Sequence, residues 1–224
     1  MELAKVRHDR LVDAVYQSLR QAILDSTLRV GERLNVEELA QKLGVSLTPV
    51  RHAVQQLATE GLLEIKPRSG TFVTRLSAHD VEETFDIRRA LECLAVETAV
   101  DKITREDLRR LRELLESLRK PLRSDRDRAA YNHDNSEFHW ILIRASGNKR
   151  LAEMYETLNA HLKIARINTP REDWLSRADE DQAEHEEIVD ALERKDADAA
   201  KQALTKHIRR SKDVLVAGIL QSSS

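Results

Sequence analysis

Cysteine is almost absent: Cys93 is the only one in 224 residues, which excludes an internal disulfide and any cysteine-rich zinc finger. Six glycines, four prolines and 4% aromatic residues are too few turn and strand formers for a sheet-rich fold, so long helices with short connections are expected. No apolar run approaches the roughly 20 residues a membrane span needs, and the opening "MELAKVRHDR" lacks the apolar stretch of a secretion signal. A cytoplasmic chain with no membrane partner is the expectation. A surplus of one charge is missing too: 37 Lys and Arg stand against 39 Asp and Glu. The first 75 residues carry 11 basic against 9 acidic side chains, which permits contact with nucleic acid without arguing for it.

What is present is helical grammar. With 41% hydrophobic and 34% charged residues the chain can bury one large core or two modest ones. In "NVEELAQKLG", Val36, Leu39, Ala40 and Leu43 follow the spacing of a helix with one buried face, Asn35 can cap its start and Gly44 ends it. Thr48 is placed to cap the next helix and Pro49 fits its first turn, where a missing N–H costs nothing. On that helix Val50, Ala53, Val54 and Leu57 make the buried stripe, so Arg51, His52, Gln55 and Gln56 point outward. Two helices joined by a tight glycine-containing turn form a helix-turn-helix, whose second helix can enter a major groove. Gly61 then closes the helix, "LLEI" and "TFV" read as short strands, and "KPRSG" between them projects Lys66 and Arg68 as a wing. A preceding helix, "VDAVYQSLRQAIL", turns Val12, Val15, Leu19, Ala22 and Ile23 inward. The unit is expected to bind duplex DNA; a winged domain that contacts only protein is the alternative.

These residues carry a resemblance. "GERLNVEELAQKLGVSLTPVRHAVQQLATEGLLEIKPRSGTFV" resembles the N-terminal domain of GntR-type bacterial transcription regulators, over about Leu19 to Thr74. The resemblance implies that Ser46, Thr48 and Arg51 sit at the major groove, with Pro49, His52 and Gln55 on the same helix. It also implies that the wing around Arg68, Ser69 and Gly70, flanked by Lys66, enters the adjacent minor groove. Two positions depart: Leu47 and Glu37 stand where the family usually or often has arginine, a phosphate or guanine partner. Looser DNA binding with a shallower salt dependence is the expected consequence.

Beyond Arg75 the sequence turns to six amphipathic helices. The first two start at the Ser77 and Thr104 caps, and the first carries Val81, Phe85, Leu91, Leu94 and Ala95 as its apolar residues. The others run from about Ser124 to Gly147, Lys149 to Asn168, Trp174 to Lys195 and Asp196 to Leu220, as an antiparallel bundle. The fold class is thus mainly α: a winged helix-turn-helix over residues 1–75 and an all-α bundle over 76–224. Of eight histidines, His8 and His79 read as surface positions, and His133 and His161 as either surface or core. Asn135 and His139 lie about 40° apart on one helix face. With His185 and His207 on two further helices they can surround a divalent metal, although histidines on separate helices need not meet and satisfied core histidines are the plain alternative.

The segments "FDIRRALECLAVETAV", "NSEFHWILIRASGNKRL" and "EHEEIVDALERKDADAAKQALTKHI" resemble the FCD effector domain of the FadR-like branch of GntR regulators, over about Ala78 to Val216. In that family a carboxylate and three histidines bind metal, which implies Asn135, His139, His185 and His207 here, Asn135 replacing the usual aspartate. An amide oxygen is a neutral and poorer ligand, so a lower affinity for the metal, Zn or Ni, is expected. Arg88 stands where the family places an arginine facing the effector; the alternative is a surface arginine beside Arg89. Its fork suits a small organic or sugar acid, and Arg166 is a further contributor without a spacing argument. The resemblance implies a ligand-responsive regulator, most often a repressor, whose homodimer meets a near-palindromic operator. A metal sensor without an organic effector and a histidine-metal hydrolase are the alternatives; the latter lacks an obvious general base.

Overall fold

The computed structural model describes residues 9–167 and 178–222. His8 and the expected helix start at Trp174 lie outside them. The chain divides into two compact units, Met1–Leu76 and Ser77–Ser224.

The first unit holds α1 (Asp9–Leu24), β1 (Arg33–Leu34), α2 (Val36–Leu43), α3 (Leu47–Thr59), β2 (Leu63–Lys66) and β3 (Gly70–Val73). The sheet order is β1-β3-β2, antiparallel throughout, with Arg33 opposite Phe72 and Lys66 opposite Gly70. Asn35 caps α2 by accepting from the backbone N–H groups of Glu37 and Glu38 at 3.1 and 3.3 Å. Gly44 ends it at φ +65°, a left-handed turn that any side chain would strain. The helix that follows starts earlier than expected. Ser46, extended at ψ 164°, is its N-cap residue, and Thr48 already lies in the first turn, so the expected Thr48 cap is corrected. Pro49 is the third helical residue, among the N–H positions that need no intrahelical acceptor. Val50, Ala53, Val54 and Leu57 of α3 pack with Val15, Leu19 and Ile23 of α1 in the core, and Val12 and Ala22 are half-buried. Tyr16 of α1 donates to Glu60 at 2.8 Å, tying α1 to the end of α3.

The second unit contains, among the described residues, six helices: α4 (Ala78–Ala99), α5 (Arg105–Leu118), α6 (Asp125–Ala145), α7 (Lys149–Ile167), α8 (Ala178–Glu193) and α9 (Ala197–Ser222). Reciprocal capping boxes start α4, α5 and α6, at Ser77 with Asp80, Thr104 with Asp107 and Ser124 with Asp127. The long α4 is the hub, packed against α6, α7 and α9. Its inward face carries Val81, Phe85, Arg88, Glu92, Ala95 and Val96. Leu94, expected inside, is 48% exposed; with Ile87, seven residues earlier and 51% exposed, it makes an outward stripe on α4. The inward face is partly polar, and that is where the site forms.

Gly44→Ala forces a Cβ into the left-handed region and is expected to cost about 1 kcal/mol. Hydrogen exchange of the full chain should show amides of α2 and α3 opening several-fold faster; unchanged protection would show that the turn does not depend on this glycine.

Candidate functional site

Arg88 and Glu92 are one helical turn apart on α4, so their side chains meet. Both are buried, 1% and 0% exposed, and Arg88 Nε donates to Glu92 Oε1 at 2.6 Å. Arg88 is therefore no surface residue. Its guanidinium carbon also lies 5.3 Å from the Phe85 ring centroid. Tyr155 of α7 donates to the same Oε1 at 2.8 Å, and His139 Nδ1 of α6 lies 2.7 Å from Oε2. Burial alone would raise the Glu92 pKa, but Arg88 and His139 outweigh it and hold the carboxyl well below the usual range. Burial pushes His139 down to about 3, so its imidazole is neutral. A neutral ring that donates through Nδ1 keeps its lone pair on Nε2, and Nε2 is buried with no hydrogen-bond partner among the described residues.

The other two expected histidines lie beside it. Ring centroids of His139 and His207 are 5.2 Å apart, those of His185 and His207 4.3 Å, and those of His139 and His185 5.5 Å, with Phe138 packed against His139 and His185. One nitrogen from each of the three imidazoles lies within 4.8 Å of the others. His207 Nδ1 is 3.1 Å from Glu184 Oε2, so Nε2 is its nitrogen away from that carboxylate, as in His139. Burial would raise Glu184, yet hydrogen bonds from His207 and Arg210 hold it at about 2. His185 is wholly buried, and burial, with His207 and His139 beside it, drives its pKa well below the ordinary value. Its Nδ1 also has no hydrogen-bond partner among the described residues.

Asn135 is buried on the same face of α6 as His139, as its four-residue offset implied. Its neighbours dictate the amide orientation: the oxygen accepts from Arg166 Nη2 at 2.8 Å and Nη1 at 3.2 Å, and the nitrogen donates to His185 Nε2 at 3.2 Å. Arg166, from the last turn of α7, is buried, and its remaining hydrogen bond runs to Ser136 Oγ at 3.2 Å. Both acceptors are neutral. Burial, with Arg88 nearby, pulls the Arg166 pKa down to about 10, so the guanidinium stays charged at neutral pH.

Three clustered imidazoles, with the lone pair of His139 Nε2 unpartnered among the described residues and carboxylates behind two of the rings, suit a divalent transition metal. The neighbouring cluster of Asp181, Glu184 and His207 suits it less well. Arg210 already donates to both of its carboxylates, and Tyr131 donates to Asp181 at 3.0 Å.

In the first unit Ser46, Thr48, Arg51, His52, Gln55, Lys66, Arg68 and Ser69 are exposed, and Gly70 is half-buried. Pro49, grouped with them, is buried among the core residues of α3 and offers no contact surface, a correction. A groove of about 430 Å³ between α2, α3 and the wing is lined by Arg33, Asn35, Glu37, Arg51, Gly70 and Thr71. Arg33 lies over Gly70, where an added Cβ would meet its Nε at 2.9 Å. Sequence reasoning missed Arg33, because β1 has only two residues and takes its position from pairing with β3. It also missed Glu92, although the four-residue step from Arg88 was a readable signal, and Tyr155, for which there was none.

A winged helix-turn-helix with an exposed recognition helix and a helical bundle in one chain define a DNA-binding regulator. Two family profiles match: bacterial regulatory proteins of the gntR family over residues 11–73, and the FCD domain over residues 83–210. The chain is 34% identical over 192 residues to the HTH-type transcriptional regulator YdhC of Bacillus subtilis (strain 168), covering 86% of this chain and 85% of that protein. It is 28% identical over 195 residues to the HTH-type transcriptional repressor RspR of Escherichia coli (strain K12), covering 87% and 84%. The solved structure of E. coli McbR/YncC matches with a TM-score of 0.75 at 26% identity, covering 96% of this chain and 99% of that one. The chain therefore belongs to the GntR family of bacterial transcription regulators and carries an FCD domain. It is a regulator and not an enzyme, so the hydrolase alternative falls.

Glu92→Gln keeps the shape but strands the buried Arg88 charge, and is expected to cost about 3–5 kcal/mol. Urea unfolding followed by Trp140 fluorescence measures it, since that ring stacks on Tyr155 at 5.8 Å. Glu116→Gln, an exposed change, should stay within about 0.5 kcal/mol of wild type. Equal stability of the two variants would remove the buried network from the account.

Proposed function

We propose that the chain is a ligand-responsive repressor whose residues 1–75 read a near-palindromic operator and whose residues 76–224 dimerise and sense a small carboxylate beside a bound divalent metal. The observation that carries this reading is a buried polar site with open demands of both signs. Among the described residues His139 Nε2, His185 Nδ1 and Arg88 Nη2 lack hydrogen-bond partners, and charged Arg166 hydrogen-bonds only to neutral acceptors. Such groups are costly to bury unless something satisfies them. A divalent ion, Zn or Ni, suits His139, His185 and His207, with Asn135 as a weaker fourth donor. When bound, the ion supplies positive charge and open coordination positions for an acid's oxygens. A small organic or sugar acid suits the forks of Arg88 and Arg166, which offer paired donors to a carboxylate.

On the DNA side, Arg51 on α3 is the residue best placed for a guanine edge, with Ser46, Thr48, His52 and Gln55 around it. Arg68, Ser69 and Gly70 at the wing tip, with Lys66 at the end of β2, suit the minor groove. The exposed Ile87 and Leu94 stripe on α4, with Met154 exposed on α7, supports a homodimer that covers it. The cytoplasm, where operator DNA is reached, is the compartment this function implies.

Two measurements check the reading. Elemental analysis of the full chain, equilibrated with Ni²⁺ and acetate and then freed of unbound ion, should find close to one Ni²⁺ per chain in wild type and little in His139→Ala; equal loading in both would remove the metal site. Duplexes selected from random sequence by the full chain should bind Arg51→Ala about tenfold or more weakly, with unfolding unchanged. Undiminished affinity would move the reading surface off α3.

A further inference from the structure

Asn135 has one carbonyl oxygen and two claims on it. The oxygen is taken by Arg166, at 2.8 and 3.2 Å, and the amide hydrogens are thereby turned toward His185 Nε2, 3.2 Å away. In this arrangement Asn135 shows the histidine cluster a donor, and it occupies the lone pair that His185 Nε2 would give a cation. For Asn135 to offer oxygen to a metal and release that nitrogen, the amide must rotate by half a turn. Rotation sets its N–H groups against the Arg166 guanidinium, which has no acceptor capacity. Among the described residues Arg166 would then keep one hydrogen bond, to Ser136 Oγ. A buried guanidinium stripped of an acceptor is an expensive state.

An anion changes the balance. A carboxylate reaching Arg166 replaces the amide oxygen with a better, charged acceptor, and the amide is free to turn. Resting on the metal and acid reading above, we propose that Asn135 makes metal loading conditional on a carboxylate at Arg166, so that ion and acid bind this site cooperatively. By linkage the effect is reciprocal: whatever factor the acid adds to metal affinity, the metal adds to acid affinity. An aspartate at this position would have an oxygen for each claimant and no such dependence. Asn135 is thus a coupling residue, and the departure from a carboxylate that lowers affinity for the bare ion also makes the ion report the acid.

The test is chelator-competed Ni²⁺ titration of the full-length protein by calorimetry, with and without acetate as the carboxylate probe. Wild type should bind Ni²⁺ weakly alone and about tenfold or more tightly with acetate, within the usual range of coupling between sites. Asn135→Asp should bind tightly without acetate and gain less than about twofold from it. Arg166→Met, which releases the amide, should also lose the acetate effect. Equal acetate effects in wild type, Asn135→Asp and Arg166→Met would mean that acetate acts on the metal directly and would overturn the coupling, as would no acetate effect in wild type. Should Arg166→Met fail to fold, the Asn135→Asp comparison decides alone. A different failure, Ni²⁺ binding to wild type and Asn135→Asp that His139→Ala leaves intact, sinks the metal reading itself.

Discussion

The carboxylate of Glu92 is the group on which the polar interior of the helical unit depends. It is wholly buried, and Arg88 one turn away keeps it ionised. From that position it accepts hydrogen bonds from three helices: its own α4 through Arg88, α6 through His139 and α7 through Tyr155. The consequence for chemistry is a fixed tautomer. His139 can present only Nε2 to the cluster, and Glu184 imposes the same choice on His207 from α8. Two rings are thus oriented by carboxylates, while the third, His185, meets the amide of Asn135 instead. On the coupling proposed above, that difference would separate a site that holds a cation at all times from one whose affinity answers to a second ligand.

The charge ledger of the interior points the same way. Glu92 answers Arg88, and Asp181 and Glu184 answer Arg210, but among the described residues Arg166 hydrogen-bonds only to the oxygens of Asn135 and Ser136, with Asp181 acting on it from farther off. A buried cation served by neutral acceptors favours an incoming anion without any rearrangement of existing ion pairs. The winged unit shows the opposite economy. Its groove carries Arg33 and Arg51 but also Glu37, and Leu47 is half-buried at the start of α3. If this groove faces the duplex as proposed, so few cationic groups leave specificity to a small number of base contacts and not to a basic stripe.

Most of the winged unit was legible because its rules are local. Asn35 and Gly44 act one helix end each, and the stripe Val50, Ala53, Val54 and Leu57 repeats at the helical period. The shift from Thr48 to Ser46 as the cap came from the backbone, since extended Ser46 turns the chain before either hydroxyl makes a capping bond. β1 was invisible because two residues carry no alternation; only pairing with β3 makes them a strand. Leu94 misled because a leucine on a helix counts as core until the neighbouring helices are placed. The histidines show the limit most clearly. Asn135 and His139 share a helix, so their common face followed from spacing, whereas His185 and His207 come from other helices and were gathered only by family resemblance. Arg166 had no periodic relation to any of them, and its place beside Asn135 emerges only when α6 and α7 pack.

The most direct test of the central claim, that the Glu92-supported histidine cluster is where an ion is sensed, is anomalous diffraction from crystals of the full chain grown with Ni²⁺ and acetate. The expected result is one peak bounded by His139 Nε2, His185 and His207, with the Asn135 oxygen turned away from Arg166. A peak held instead by Asp181 and Glu184, or no peak in the bundle at all, would contradict it.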